Sequence, residues 1–336
     1  MKMNTKELKK ALIIVGQAVA KRNSLPILQN VLITANENVK LTCTDLELCI
    51  VQNVVSEYGI PFKTTVNYKM LRDTVKSIKN ETVSINLIDD ELVINDMITL
   101  DTIPENEFPL VEVEQAVDSF RIDLKAIKRI IHCSSKDQAR PTLNGMFLNN
   151  TEICCTDGFR VAKNKNASNS KSKLVIPNSA LKAISKLKTD FIDAITYDNK
   201  IHVVYKSGYL IAMLIEGNYP DYNVIFKQAK NEFTMTADKN ELLNAVDLLI
   251  PALKAEDQVV IKLTLGNDLT IDNREGGKVS VKAVCSNPLV IGLNYQYFTE
   301  AIKAIDGDLI TMKYNKCDTP VLFDNTELLM PMHIEI

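Results

Sequence analysis

Tryptophan is missing from the 336 residues, and aromatic side chains of all kinds make up only 6%. Stacking platforms for bases or sugars are therefore in short supply. No apolar stretch approaches the ~18 residues that a membrane-spanning helix needs. There is no positive excess either. The 39 Lys and Arg face 42 Asp and Glu, a formal net charge of −3. A protein that coats nucleic acid is plainly basic, so contact with nucleic acid would require an uneven distribution of charge. The seven cysteines, an odd number, include the adjacent pair Cys154 and Cys155 but no C-x-x-C spacing. Neither a disulfide framework nor a zinc cage is implied, and scattered thiols suit a reducing cytosol. The Walker phosphate loop, G-x-G-x-x-G and H-E-x-x-H are absent.

What remains is a globular composition, 46% apolar and 24% charged. At roughly 100–200 residues per domain the length predicts two or three domains. The opening "MKMNTKELKK", then "ALIIVGQAVA", has the charged start, short apolar run and Ala18-Val19-Ala20 site of a secretory leader. Glu7, Gly16 and Gln17 interrupt that pattern. Leu8, Leu12, Val15 and Val19 fall at helical spacing, which suits an amphipathic core helix.

Self-comparison decides the matter. "ELKKALIIVGQAV", "DLKAIKRIIHCSS" from Asp123 and "NELLNAVDLLIPAL" from Asn240 share one apolar pattern. A second motif, strand, polar cap, helix, strand, also occurs three times, with Asn67, Asn178 and Asn294 at or near the caps. Hairpin-like strand pairs separate these helices. The recurrence every roughly 110–115 residues is too long for a solenoid. It predicts an α+β protein of three tandem copies, 1–115, 116–229 and 230–336. The acidic segment Pro104–Gln115 and "GNYPDYNVIFKQAKNE" from Gly217 read as linkers, and Lys163–Lys173 as a surface loop.

Candidate chemistry is sparse. The three histidines are His132, His202 and His333. His132 and Cys133, as helical neighbours, point about 100° apart and cannot meet as base and nucleophile. Cys133 reads as a semi-buried structural thiol. Asp45, Asp157 and Asp272 recur at equivalent turns, as turn formers do; a phosphoester hydrolase built on Asp45 or Asp157 is the distant alternative. No catalytic residue, metal or cofactor is expected.

Basic charge concentrates on the repeated helices. Lys6, Lys9 and Lys10 lead the first, and Lys21 and Arg22 follow it. Lys69, Arg72, Lys76 and Lys79 share one face of the next, beside Leu71, Val75 and Ile78. In the second copy Lys125, Lys128 and Arg129 form one set, Lys182 and Lys186 another. A lysine-rich face on a single helix is ordinary solvated surface. Repetition at equivalent helices would pool the cations on one surface that attracts phosphates without reading bases. The third copy dissents. Its helices carry Asp238, Glu241, Asp247, Glu256, Asp257, Glu300 and Asp306 against Lys239, Lys254 and Lys303.

The segments "KRNSLPILQNVLI", "LTCTDLEL", "ARPTLNGMFL", "TDGFRVA", "EGNYPDY" and "LLMPMHI" occur in that order along the whole chain. Together they resemble the bacterial sliding clamp, the beta subunit of DNA polymerase III. The resemblance implies a head-to-tail homodimer closed into a ring, with helices lining a hole and antiparallel sheets outside. Such a ring encircles double-stranded DNA without sequence preference. As a processivity factor in DNA replication, it tethers the replicative polymerase, clamp loader and repair factors through a short peptide motif. It also implies no catalysis by the chain, although the holoenzyme it serves is a nucleotidyltransferase. The place would be the cytoplasm of a bacterial or phage-infected cell, near the nucleoid, without membrane contact.

By motif, Arg22 and Arg140 would be DNA contacts. Leu143, Thr156, Gly158, Phe159, Arg160, Val161, Pro320, Val321, Met330, Pro331 and Met332 would wall the peptide groove, with Val321 and Val161 also open to a core role. Ile98 and Leu100 would meet Ala252 and Leu253 across the dimer contact. Phe159 and His333 stand where His and Arg are usual in the family. A clamp-fold scaffold that no longer encircles DNA is the second reading.

Overall fold

The computed structural model describes residues 1–20, 25–111, 115–166, 170–229, 232–255, 259–273 and 276–334. Two compact units divide the chain. One comprises Met1–Leu124 and Ala167–Glu216, the other Lys125–Asn166 and Gly217–Ile336. The division falls inside the middle copy of the sequence repeat.

Seven α-helices are present among the described residues: α1 (Thr5–Val15), α2 (Tyr68–Ser77), α3 (Leu124–Ile130), α4 (Asn178–Ile184), α5 (Tyr222–Gln228), α6 (Lys239–Ala255) and α7 (Tyr295–Ala304). All but α5 begin where a strand ends, which is the repeat unit expected from the sequence. Polar side chains at the junctions explain the sharp starts. Asn4 Oδ1 accepts from the Lys6 and Glu7 N–H groups at 2.9 and 3.2 Å. Asn67 does so for Met70, Asp238 for Asn240 and Glu241, and Asn294 for Gln296 and Tyr297. Each such cap stabilises its helix by about 1 kcal/mol. Asn178 differs: it is the first helical residue, and Pro177 occupies the cap position.

In the first unit one antiparallel sheet of 13 strands runs from Asp118–Asp123 to Ser56–Glu57. Within it, Gly208–Met213 of the second copy lies beside Leu48–Val54 of the first, in the register Gly208↔Gln52 to Ala212↔Leu48. The approach is tight. A Cβ on Gly208 would lie 2.0 Å from the Val51 carbonyl oxygen. α1 lies on this sheet with Leu8, Leu12 and Val15 buried, so the leader-like run is core structure. In the second unit the hydrogen-bonded order Gly145–Asn149, Glu152–Thr156, Arg160–Lys165, Glu327–Leu329, Val321–Phe323, Leu309–Tyr314, Phe233–Asp238 likewise crosses between copies. A four-stranded sheet accompanies it, and α6 and α7 bury Leu242, Val246 and Phe298 in the shared core.

Three expectations need correction. The segment from Gly217 contains α5, capped by the Asp221 carboxylate, because buried Tyr222 anchors it. Lys163, Asn164 and Lys165 are strand residues paired with Glu152–Thr156, and Lys173 opens the strand Lys173–Pro177, so the surface loop is shorter than Lys163–Lys173. Cys133 is fully buried rather than semi-buried, because α3 gives way at Ile131 to a 3-10 turn that turns the thiol inward.

Candidate partner site and basic helix faces

The turn "TDGFRVA" repeats the geometry of "CTDLELC". Asp157 Oδ1 accepts from the Phe159 and Arg160 N–H groups at 2.9 and 3.1 Å, and Asp45 Oδ1 from those of Glu47 and Leu48 at 3.1 and 2.7 Å. Thr156 and Thr44 hydroxyls accept from Gly158 and Leu46 in the same way. In the third copy Asn273 Oδ1 accepts from the Gly277 N–H. These carboxylates and amides shape turns.

Beyond the Asp157 turn, the chain enters the sheet beside the C-terminal strand, pairing Arg160↔Leu329 and Val161↔Leu328, and the Met330 N–H donates to the Phe159 carbonyl at 2.9 Å. Phe159 and Met330 stay exposed, 58% and 42%. On the same strands and α5, Cys154, Val161, Tyr222 and Leu328 form a small buried cluster, edged by half-buried Phe147, Tyr219, Phe226 and Leu322. Phe147 and Tyr219 stack at 4.8 Å, and the Tyr222 hydroxyl donates to Glu152 at 2.5 Å. Burial, reinforced by that carboxylate, pushes the Tyr222 phenol far up, so it remains a neutral donor. The result is an apolar, aromatic patch with a fixed floor.

Arg160 is the anchor of this region. Its side chain is only 7% exposed. It donates to Asp157 at 3.0 Å, to Glu300 at 2.5 Å and to the His132 carbonyl at 2.5 Å, and lies 4.0 Å from the Tyr297 ring centroid. Arg160 therefore acts from below, holding the turn. Thr156 and Leu143 are both buried. Val321 is fully buried in the second unit's core, whereas Pro320, Pro331 and Met332 are half-buried and Gly158 is exposed. The sequence reading missed Phe147, Tyr219, Tyr222 and Phe226. A signal for the two tyrosines is present in "EGNYPDY", which reads both as part of a linker and as one of the clamp-like segments.

The candidate cations separate into two kinds. Lys69, Lys76, Lys79, Lys125, Lys182 and Lys186 are exposed. Lys76 and Lys79 join Lys6 and Lys9 around a cleft of about 580 Å³ between the start of α1 and the end of α2. Three of the candidate arginines are paired with carboxylates. Arg72 pairs with Asp73 at 2.7 Å, Arg129 with Asp324 at 2.9 Å and Asp306 at 3.5 Å, and Arg140 with Asp137 at 3.0 Å. Arg140 also packs against the Gly158 turn, where a Cβ would lie 2.7 Å from its Nη1. Lys21 and Arg22 lie outside the described residues. Of the dimer candidates, Leu100 and Leu253 are buried within the chain, Ile98 is half-buried and Ala252 exposed. All seven cysteines are free thiols. No helix among the described residues is long and apolar enough to cross a membrane.

Comparison with known proteins matches this architecture. Residues 1–112 fit the family model of the DNA polymerase III beta subunit, N-terminal domain, and residues 116–221 that of its central domain. The chain is 25% identical over 369 residues to the beta sliding clamp of Synechococcus elongatus, covering 98% of this chain and 97% of that protein. It is 26% identical over 359 residues to the beta sliding clamp of Staphylococcus aureus, covering 94% of each. Among solved structures, the DNA polymerase III beta subunit of Thermotoga maritima superposes with a TM-score of 0.86 at 19% identity, covering 99% of both chains. A sliding clamp of Bartonella birtlesii bound to griselimycin gives 0.87 at 23%, again covering 99% of both. Tandem α+β domains of this kind define a clamp. The chain belongs to the bacterial DNA polymerase III beta-subunit family, the beta sliding clamps.

Proposed function

We propose that two copies of this chain close head to tail around duplex DNA and keep a replicative polymerase on its template. The chain is a non-catalytic processivity clamp, and its three domains are read as 1–115, 116–229 and 230–336. One observation carries the DNA contact: exposed lysines recur at matching helices, Lys69 and Lys76 on α2 and Lys182 on α4, while Lys79 and Lys186, expected on the same faces, lie just past the helix ends. Charges on flexible stems attract phosphates without reading sequence, which suits a ring that must slide. Lys125 belongs to the same set. Arg129 and Arg140 contribute less, because each already has an acidic partner.

Polymerase, clamp loader and repair factors would dock a short apolar peptide over Phe159, Met330 and the aromatic cluster on the same strands and α5. Leu143, Thr156, Gly158, Arg160, Val161, Pro320, Val321, Pro331 and Met332 are the remaining wall or support of that site. Exposed methionine and aromatic surface adapts to several partners. The dimer contact would use Ile98 and Ala252 directly, with buried Leu100 and Leu253 fixing the strand and helix that carry them. Work would be done in the cytoplasm, on DNA.

Retention on DNA tests this. Protein loaded on nicked circular DNA should survive a high-salt wash and fall off once the circle is linearised. Equal loss from circles and linear DNA would favour the non-encircling scaffold.

A further inference from the structure

His132, Cys133 and Glu327 are brought together although 195 residues separate the first from the last. His132 Nε2 lies 2.9 and 3.0 Å from the two Glu327 carboxylate oxygens, and Cys133 Sγ lies 3.4 Å from Oε1. All three donor atoms fall within 4.8 Å of one another, the one group of this kind among the described residues. We propose that this trio is a zinc site.

The donor set fits. Zinc takes thiolate at about 2.3 Å, imidazole at about 2.0–2.1 Å and carboxylate at about 2.0–2.2 Å in a tetrahedron, so neighbouring ligand atoms stand about 3.3–3.7 Å apart. The edges to Glu327 measure 2.9 and 3.4 Å, and the third is no longer than 4.8 Å. A mixed nitrogen, sulfur and oxygen set selects zinc over the hard cations calcium and magnesium. Glu327 and Cys133 are buried, whereas His132 is half-buried. That leaves the histidine side as the access route.

Charge favours the ion as well. Arg160 opposes a cation, since its Nη2 donates to the His132 carbonyl, but Asp157 and Glu300 already bind it. Those three sum to −1, and the Cys133 thiolate with the Glu327 carboxylate adds −2. On binding, the Cys133 S–H bond breaks, its proton passes to solvent, and the sulfur pair forms the zinc bond. The His132 Nε2–H that faces the Glu327 carboxylate is also given up, its proton passing through solvent to Nδ1, and the freed Nε2 pair forms the second zinc bond. The ion would pin the 3-10 turn after α3 to the strand beside Arg160–Ala162, under the partner site.

The test uses full-length protein carrying Cys317→Ser, which removes the exposed thiol. Cobalt titration should give a thiolate-to-cobalt charge-transfer band and visible bands of tetrahedral intensity at one equivalent, both bleached by zinc. Cys133→Ser should abolish the charge-transfer band. Glu327→Gln should weaken zinc by more than the roughly 10–100-fold that losing an outer-shell partner costs. If either variant misfolds by circular dichroism, half-buried His132→Gln should still fold and weaken zinc comparably. No band, or a band that survives Cys133→Ser, overturns the assignment.

Discussion

Replacing Arg160 by methionine tests how the partner site is held. The change keeps an apolar stem of similar length and removes the guanidinium, its three hydrogen-bonded partners and the face-on contact with Tyr297. Breaking a buried ion pair from one side costs about 3–5 kcal/mol. Two features place the value at the lower end: Asp157 keeps two backbone N–H donors, and the Glu300 side chain is 47% exposed. The expected loss is about 3 kcal/mol. Glu300→Gln should cost at most about 1 kcal/mol, because solvent screens that half of the network. Adding Asp157→Asn to the arginine variant should recover part of the loss, with a coupling of about 0.5–3 kcal/mol. The assay is urea unfolding followed by far-ultraviolet circular dichroism, since no tryptophan reports on the fold. With two compact units, separate transitions are allowed, and only the one belonging to residues 125–166 and 217–336 should move. An Arg160→Met cost below about 1 kcal/mol, or an equal cost for Glu300→Gln, would refute the account of burial deciding the energy.

Leu46 has φ of +79° where the matching turn of the second copy has Gly158 at +92°. Leu46→Gly should therefore stabilise the first unit by up to about 1–2 kcal/mol in thermal or urea unfolding. His202 lies between Tyr197 and Tyr209 with neither ring nitrogen hydrogen-bonded, and burial lowers its pKa from 6.5. The unfolded chain then takes up the proton first, so this contribution is intact above pH 6.5 and lost as pH falls towards the lowered folded value. His202→Phe should flatten that acid slope in melting curves from pH 7 to 5. Lys76→Gln with Lys79→Gln should reduce the dependence of log K for DNA on log salt by up to about 0.9 per lost phosphate contact. An unchanged slope would remove that cleft from the DNA surface.

Local chemistry made much of this structure legible. The caps at Asn67 and Asn294, the aspartate turns and the buried stripe Leu71–Val75 follow from residues a few positions apart, where sequence carries the whole interaction. Arg129 looked like a free cation because its partner Asp324 lies 195 residues away. The aromatic cluster escaped for the same reason: Phe147 and Tyr222 meet only after Glu152–Thr156 and α5 are placed. His132 and Cys133 were kept apart on the geometry of an α-helix, yet the chain adopts a 3-10 turn there and both reach one carboxylate. Arg140, a DNA contact by motif, sits at a turn beside Gly158 and pairs with Asp137, three residues before it.

Gly208 gives the first unit a mechanical property. Its missing side chain lets two copies share one sheet, with Gln52 directly opposite and the Val51 carbonyl close by. A load that pulls the copies apart along their strands meets several backbone bonds in parallel, which must fail together. Peeling them one at a time would need a starting nick, and the bare glycine removes the bulge where a nick would begin. An alanine there would act as a wedge, turning a stiff joint into a hinge.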